Sequence, residues 1–423
     1  MISQTLADAF SGFSADSMPA SSRAHAARVY ADTIACMVGG LCDAEVARFA
    51  RRFSGHGVTE PLTGLKAAYG NLALILGFAA AALELDDGHY ETGSHPAAHA
   101  AAGALAVAAQ LKSDDKARFE AFLVGYEVGA RVGLGTTLRP DAHGHGTWGA
   151  IGAAAAAAHL TGREPEDFAA ILDIAGGLGL GTSVTAPMKG GTIRSAWVGV
   201  AARNGLLALD LHDAGVTGEP GGIEAVFGKV LGSAFDADAA AAGLGETFLI
   251  DTNFMKLDAS CRETQGALAA FRAAWPAGHA ASEIAWIEIA TFDPAANLSE
   301  REPVNVMAGR FSIPATVALA AGAKPITAAN YEAAVQSPMM REVMRRIEVV
   351  EDPDATDALP VRRCTARVHL IDGTEYEATV DGAPGDADQP LSPADLRAKF
   401  DALFAEAGRG DADAMYARLT ADA

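Results

Sequence analysis

Apolar residues recur at helical spacing along this chain up to about residue 255, and the alternation typical of strands appears only after about Cys261. The segment opened by Pro19-Ala20-Ser21-Ser22 carries Val29, Thr33, Ile34 and Met37 at helical intervals and stops at Gly39-Gly40, which predicts a helix. Further helices are expected near 66–84, 96–111, 115–132, 148–160, 166–175 and 192–212, punctuated by Gly, Pro, Asp and Ser. No strand is expected in this stretch. Beyond it, Glu283 to Ala290 has strand composition. The runs Arg363 to Ile371 and Thr374 to Val380 flank Asp372-Gly373, a strong hairpin signal. Helices near 309–321, 328–335 and 338–346 intervene, and Ser392-Pro393-Ala394-Asp395 reads as the capped start of a final helix. The expected architecture is mainly α with a second α+β domain. An all-helical domain spans 1–260, with 391–423 returning to it, and a smaller antiparallel-sheet lid domain spans 261–390.

Composition sharpens this picture. With 45 glycines, abundant alanine and only 7% aromatic residues, the helices can pack nearly backbone to backbone. The Ala153 to Ala158 run belongs to such a helix, since alanine has the highest helix propensity. A net charge of −21 speaks against nucleic-acid binding, which needs a basic face, and against attachment to membranes. It also means that an anionic substrate would need cations gathered locally against the overall field. The first basic residue is Arg23, so no signal peptide is expected. The longest apolar run, Leu72 to Leu83, falls short of the ~20 residues that cross a bilayer. A cytoplasmic protein with reduced thiols at Cys36, Cys42, Cys261 and Cys364 is the expectation.

The densest chemistry lies between two apolar helices. Glu84-Leu85-Asp86-Asp87-Gly88-His89-Tyr90-Glu91-Thr92-Gly93-Ser94-His95-Pro96 packs acids and imidazoles into one loop, where burial without partners would cost several kcal/mol each. His95 and His99 stand one helical turn apart. A second group, His143-Gly144-His145-Gly146-Thr147, precedes the helix of 148–160, whose N-terminus favours an anion. With Asp86 and Asp87 near, a metal site is conceivable, but no metal motif is present and none is expected. Lys189 sits before Gly190-Gly191, and Lys256 and Arg262 flank the expected domain junction, a preferred ligand location. Each of these cations could equally be a surface residue or part of a salt-bridge network. The Gly176 to Gly181 run follows a helix and lacks the G-x-G-x-x-G spacing, so it is not read as a nucleotide loop.

Taken in order, these segments resemble the MmgE/PrpD family. The resemblance rests on Asp32-Thr33-Ile34-Ala35-Cys36, Glu84-Leu85-Asp86-Asp87 through His95-Pro96, Gly125-Tyr126-Glu127-Val128, Gly144-His145-Gly146-Thr147, Lys189, Lys256 through Cys261-Arg262, and Arg310-Phe311-Ser312-Ile313-Pro314. It implies a helical domain carrying the site, a smaller lid domain, a homodimer, and action on small anionic di- or tricarboxylates without metal or organic cofactor. Dehydration as in 2-methylcitrate dehydratase is the first reading. Epimerisation of the iminodisuccinate type and decarboxylation of the cis-aconitate type are the alternatives. The resemblance implies catalytic roles for His95, His145, Lys189 and Asp86, with Glu84 as the other candidate for the acid position. Substrate binding is expected from Lys256, Arg262, Glu84, Asp87 and Thr147. Gln265 departs from the pattern, because many members carry His there.

Overall fold

The computed structural model describes residues 1–421, and the chain divides into two compact units. The first comprises Met1–Val184, Arg194–Met255 and Ser392–Ala423; the second comprises Thr185–Ile193 and Lys256–Leu391.

At the centre of the first unit is the helix Pro96–Leu111, buried on every face from Pro96 to Ala109. Proline at its first turn needs no N–H partner there, and a helix apolar all round has no face to give to solvent. Tyr69–Ala82, Asp115–Gly135 and Gly149–Leu160 pack against it. Small side chains set the spacing. A Cβ on Gly152 would stand 2.6 Å from the Gly125 carbonyl oxygen, so these two helices cross at backbone contact. The helix Ala20–Gly40 packs on Tyr69–Ala82, and the helix Pro393–Glu406, near the C-terminus, packs on Ala20–Gly40. Ser392 caps that last helix by accepting the Asp395 N–H, and Asp395 returns the bond.

The second unit is built on a four-stranded sheet of order Ile347–Glu351, Ile284–Thr291, Arg363–Leu370, Glu375–Asp381. Ile287 opposes Ile347 in a parallel pair and Val368 in an antiparallel one, and Val368 in turn opposes Tyr376. The Asp372-Gly373 turn closes the last hairpin, with Gly373 at φ +89°. The helix Arg262–Ala274 packs on that hairpin. Leu268, Phe271, Ile287, Ile289, Met344 and Val368 share the core.

The structure departs from the sequence-based expectation at several points. The sheet is mixed rather than antiparallel, because the short strand Ile347–Glu351 joins parallel to Ile284–Thr291. The helical unit also holds two small antiparallel ribbons, Ser54–Thr59 with Lys66–Ala67 and Thr136–Leu138 with Gly232–Phe235. These strands are too short to show alternation. The helix expected over 309–321 is two, Val306–Arg310 and Ile313–Ala321, because the Ser312 hydroxyl caps the second by accepting the Ala315 N–H. Thr185–Ile193, with Lys189, and the segment from Lys256 group with the second unit. Among the described residues, no helix is long and apolar enough to cross a membrane.

Candidate active site

The acidic loop leaves the helix Tyr69–Ala82 through a strained residue. Glu84 adopts φ +56°, the left-handed region that costs a non-glycine residue ~1–2 kcal/mol. Its buried carboxylate pairs with Arg194, in the first turn of the helix Ile193–Asp213. Leu85 gives its carbonyl to the Lys399 ammonium at 2.7 Å, and the same ammonium stands 2.7 Å from Asp32 Oδ1. Gly88 and Phe254 exchange two backbone hydrogen bonds of 3.0 and 2.8 Å. Between these anchors stand Asp86 and Asp87, both buried.

The loop ends where His95 precedes the Pro96 helix. His95 Nδ1 lies 3.0 Å from Asp86 Oδ2. A proton on Nδ1 then faces the carboxylate, which leaves Nε2 to take or give a proton. The rings of His95 and His145 stand perpendicular with centroids 4.4 Å apart. Asp86 and His145 are closed off, whereas the His95 side chain keeps 13% of its surface exposed.

Two further histidines hold the cluster in place. His99 Nδ1 lies 2.9 Å from the His95 carbonyl, and its Nε2 accepts the Gly146 N–H at 3.3 Å. That acceptance puts the ring proton on Nδ1. Burial pushes His99 down to about 4, so the ring is neutral at physiological pH. His143 Nδ1 accepts the His145 N–H at 2.9 Å, and burial pushes His143 down to about 3. The Gly176 to Gly181 run also has a use here. The Leu180 N–H donates to the Gly146 carbonyl at 2.8 Å, and the Thr182 hydroxyl lies 2.9 Å from the carbonyls of His143 and His145.

Asp87 differs from Asp86 beside it. Burial pushes its carboxyl up to about 7, with Asp86 adding to the shift and His95 opposing it. Asn253 Nδ2 lies 3.5 Å from Asp87 Oδ2. Burial, with Asp87 next to it, holds Tyr126 well above the usual phenol range. Asp87 is thus a neutral acid below about pH 7, suited to donating a hydrogen bond rather than to pairing with a cation. His89 stands apart, with Nε2 2.9 Å from the Thr252 hydroxyl and its basicity lowered by burial.

The structure gathers Asp86, His95 and His145, and sets Asp87 and Glu84 in the same loop. Their ligand atoms in the trio lie within 4.8 Å of one another, so this is where a metal ion could be held. One edge of that triangle is already a hydrogen-bond distance between His95 and Asp86, which suits proton sharing as it stands. Thr147 turns its hydroxyl back to the Gly144 carbonyl. Lys189, Lys256 and Arg262 belong to the second unit. Lys189 is exposed in a turn whose Gly190 carbonyl accepts from Asn305, and Lys256 is buried. The Arg262 guanidinium is committed to the Asp386 carboxylate and the carbonyls of Ala383 and Pro384, the salt-bridge alternative for this residue. Gln265 donates to Ser260 Oγ at 2.6 Å and to the Asp258 carbonyl at 3.1 Å, bracing the chain after Lys256.

Sequence reasoning left Lys399 and Arg194 out of the site, and it placed His99 and His143 in the histidine clusters without giving them a role. A buried acid such as Asp32 or Glu84 in an apolar segment signals that a cation must meet it, but nothing local says which one. Lys399 comes from 367 residues away.

A helical unit enclosing a carboxylate–imidazole pair beside a second imidazole, followed by an α+β unit, has the parts of an acid–base enzyme rather than of a scaffold. The model of the MmgE/PrpD N-terminal domain matches residues 4–239, and that of the MmgE/PrpD C-terminal domain matches residues 259–421. The chain belongs to the MmgE/PrpD family, a family of enzymes. No individually curated protein matches it.

Proposed function

We propose that this protein transfers a proton at the carbon next to a carboxylate of a small di- or tricarboxylate, and that the reaction is dehydration of a 2-methylcitrate-like hydroxy acid. The observation that carries this reading is the Asp86–His95 contact with His145 beside it. In the reaction the C–H and C–O bonds break, a C=C bond forms, and the hydroxyl leaves as water after taking a proton. His95, oriented by Asp86, is the acid for the departing hydroxyl. His145 is the base. Charge that develops on the substrate carboxylate needs a cation or hydrogen-bond donor, and losing one such group costs ~2.7–4 kcal/mol of transition-state stabilisation.

Geometry favours elimination over epimerisation by the two histidines. Epimerisation needs proton donors on opposite faces of one carbon, each roughly 3–3.5 Å from it. Rings with centroids 4.4 Å apart leave no room for a carbon between them, whereas an acid and a base side by side suit loss of H and OH from one face.

The test is alkene absorbance with citrate- and malate-like hydroxy acids, run beside solvent deuterium uptake and CO2 release. Alkene formation that survives dialysis against EDTA supports the proposal. Deuterium entering recovered substrate without elimination points to the epimerase, CO2 release points to the decarboxylase, and silence in all three overturns proton transfer at such substrates. A homodimer belongs to the same proposal, and sedimentation as a species of monomer mass alone would remove it.

A further inference from the structure

We infer that Lys399, from the helix Pro393–Glu406, is a positioning residue for the Asp86–His95 pair, an inference that rests on reading that pair as the acid of the reaction. The Lys399 ammonium contacts Asp32 Oδ1 at 2.7 Å, Asp32 Oδ2 at 2.9 Å and the Leu85 carbonyl at 2.7 Å, and all of these groups are buried. A salt bridge serving only stability would need Asp32 alone. The further contact falls on the carbonyl immediately before Asp86. Because the peptide unit is planar, holding the Leu85 oxygen fixes the plane of the 85–86 peptide and hence the direction in which the Asp86 side chain leaves the backbone. Two residues later Gly88 is tied on both sides to Phe254. The loop is thus pinned just before Asp86 and just after Asp87, with only the two acids between the pins.

Electrostatics acts in the same sense. Burial is the largest single influence and would lower the Lys399 ammonium, but Asp32, Cys36 and Asp86 together outweigh it and raise it, so the group stays charged. Asp32 and Cys36 face it from the helix Ala20–Gly40, and Asp86 faces it from the loop. The same cation faces the Asp86 carboxylate, which lies against His95 Nδ1.

The experiment compares wild type with Lys399→Met and with the double variant Asp32→Asn/Lys399→Met, which removes both buried charges together so that neither is stranded. Each is followed by thermal unfolding, kcat and KM, the pH profile, and 15N NMR of the histidine side chains. The double variant is expected to fold and to lose ~10–100-fold in kcat with KM little changed. It is also expected to lose the hydrogen-bonded Nδ1 proton signal of His95. A folded double variant with wild-type kcat, or one whose His95 signal is unmoved, overturns the inference. If wild type turns over none of the probe acids, the reaction reading fails instead. The His95 signal then decides alone: its loss in the folded double variant sustains the positioning role, and its persistence ends it.

Discussion

The Gly146 N–H donates to His99 Nε2 at 3.3 Å, and this single bond leaves the proton of a neutral imidazole on Nδ1, facing the His95 carbonyl at 2.9 Å. One ring thereby joins the two segments that carry His95 and His145.

The neutrality of His99 has a signature in stability. Its folded-state value of about 4 lies below the usual 6.5, so its contribution is present above pH 6.5 and is lost as pH falls towards 4. Replacing His99 with Phe is expected to destabilise the protein most at neutral pH. The penalty should shrink by about 1.4 kcal/mol per pH unit between 6.5 and 4. Urea unfolding at several pH values measures it, and a penalty independent of pH would contradict a neutral His99.

Asp87 predicts the opposite sign. Its folded-state value of about 7 lies above the usual 3.8, so its contribution is present at low pH and lost as pH rises towards 7. Relative to wild type, Asp87→Asn should gain about 1.4 kcal/mol per pH unit between roughly pH 4.5 and 6.5. The same unfolding series checks this, and a slope of the other sign would show Asp87 to be ionised in the folded state.

Asp86→Asn keeps the shape of the carboxylate but presents an amide to His95 Nδ1. The wrong tautomer is then favoured, and kcat should fall by ~10²–10⁴-fold with little loss of stability. His95→Gln should fall in the same range. Unaltered turnover in either variant would remove the pair from the chemistry.

The Glu84–Arg194 pair is buried on both sides. Removing one partner strands a charge, so Arg194→Met should cost ~3–5 kcal/mol, while Glu84→Gln/Arg194→Met should recover a large part of it. A double-mutant cycle by chemical denaturation reads the coupling directly. Additive losses would mean that the two side chains do not depend on each other.

A Cβ on Gly149 would stand 2.0 Å from His99 Cδ2, so Gly149→Ala has to push the His99 ring aside. Overpacking of this kind destabilises by ~1–3 kcal/mol. Here it should also lower kcat, because the ring that ties His95 to Gly146 is displaced. Gly152→Ala presses instead on the Gly125 carbonyl oxygen and should cost stability alone. Equal effects of the two on kcat per unit of stability lost would argue against a role for His99 in aligning the site.

Much of the helical half was legible because its signals are local. Pro96 at the head of an alanine-rich run predicts a helix over 96–111, and the structure has Pro96–Leu111. Asp372-Gly373 predicts the turn between the last two strands, and it is there. Ile347–Glu351 was missed because its five residues take their strand character from Ile284–Thr291, more than fifty positions earlier, and a parallel pair has no turn to announce it. The two ribbons of the helical unit were missed for a similar reason. Their strands are short, from two to six residues, and pairing alone makes them strands.

Sequence by itself determined which residues had to be dealt with: acids and imidazoles set between apolar helices must be buried with partners or face water, and hydrophobic periodicity together with small residues dictated close-packed helices. Only the tertiary structure decided how each charge was met. Asp86 took His95, Glu84 took Arg194, Asp32 and the Leu85 carbonyl took Lys399, and Asp87, with Asn253 Nδ2 3.5 Å from its Oδ2, was pushed by burial to keep a proton. The physical reason is that helix and turn preferences act over a few residues, while the pairing of a buried charge depends on what the whole fold brings within about 3 Å of it, however far away in the chain that partner was made.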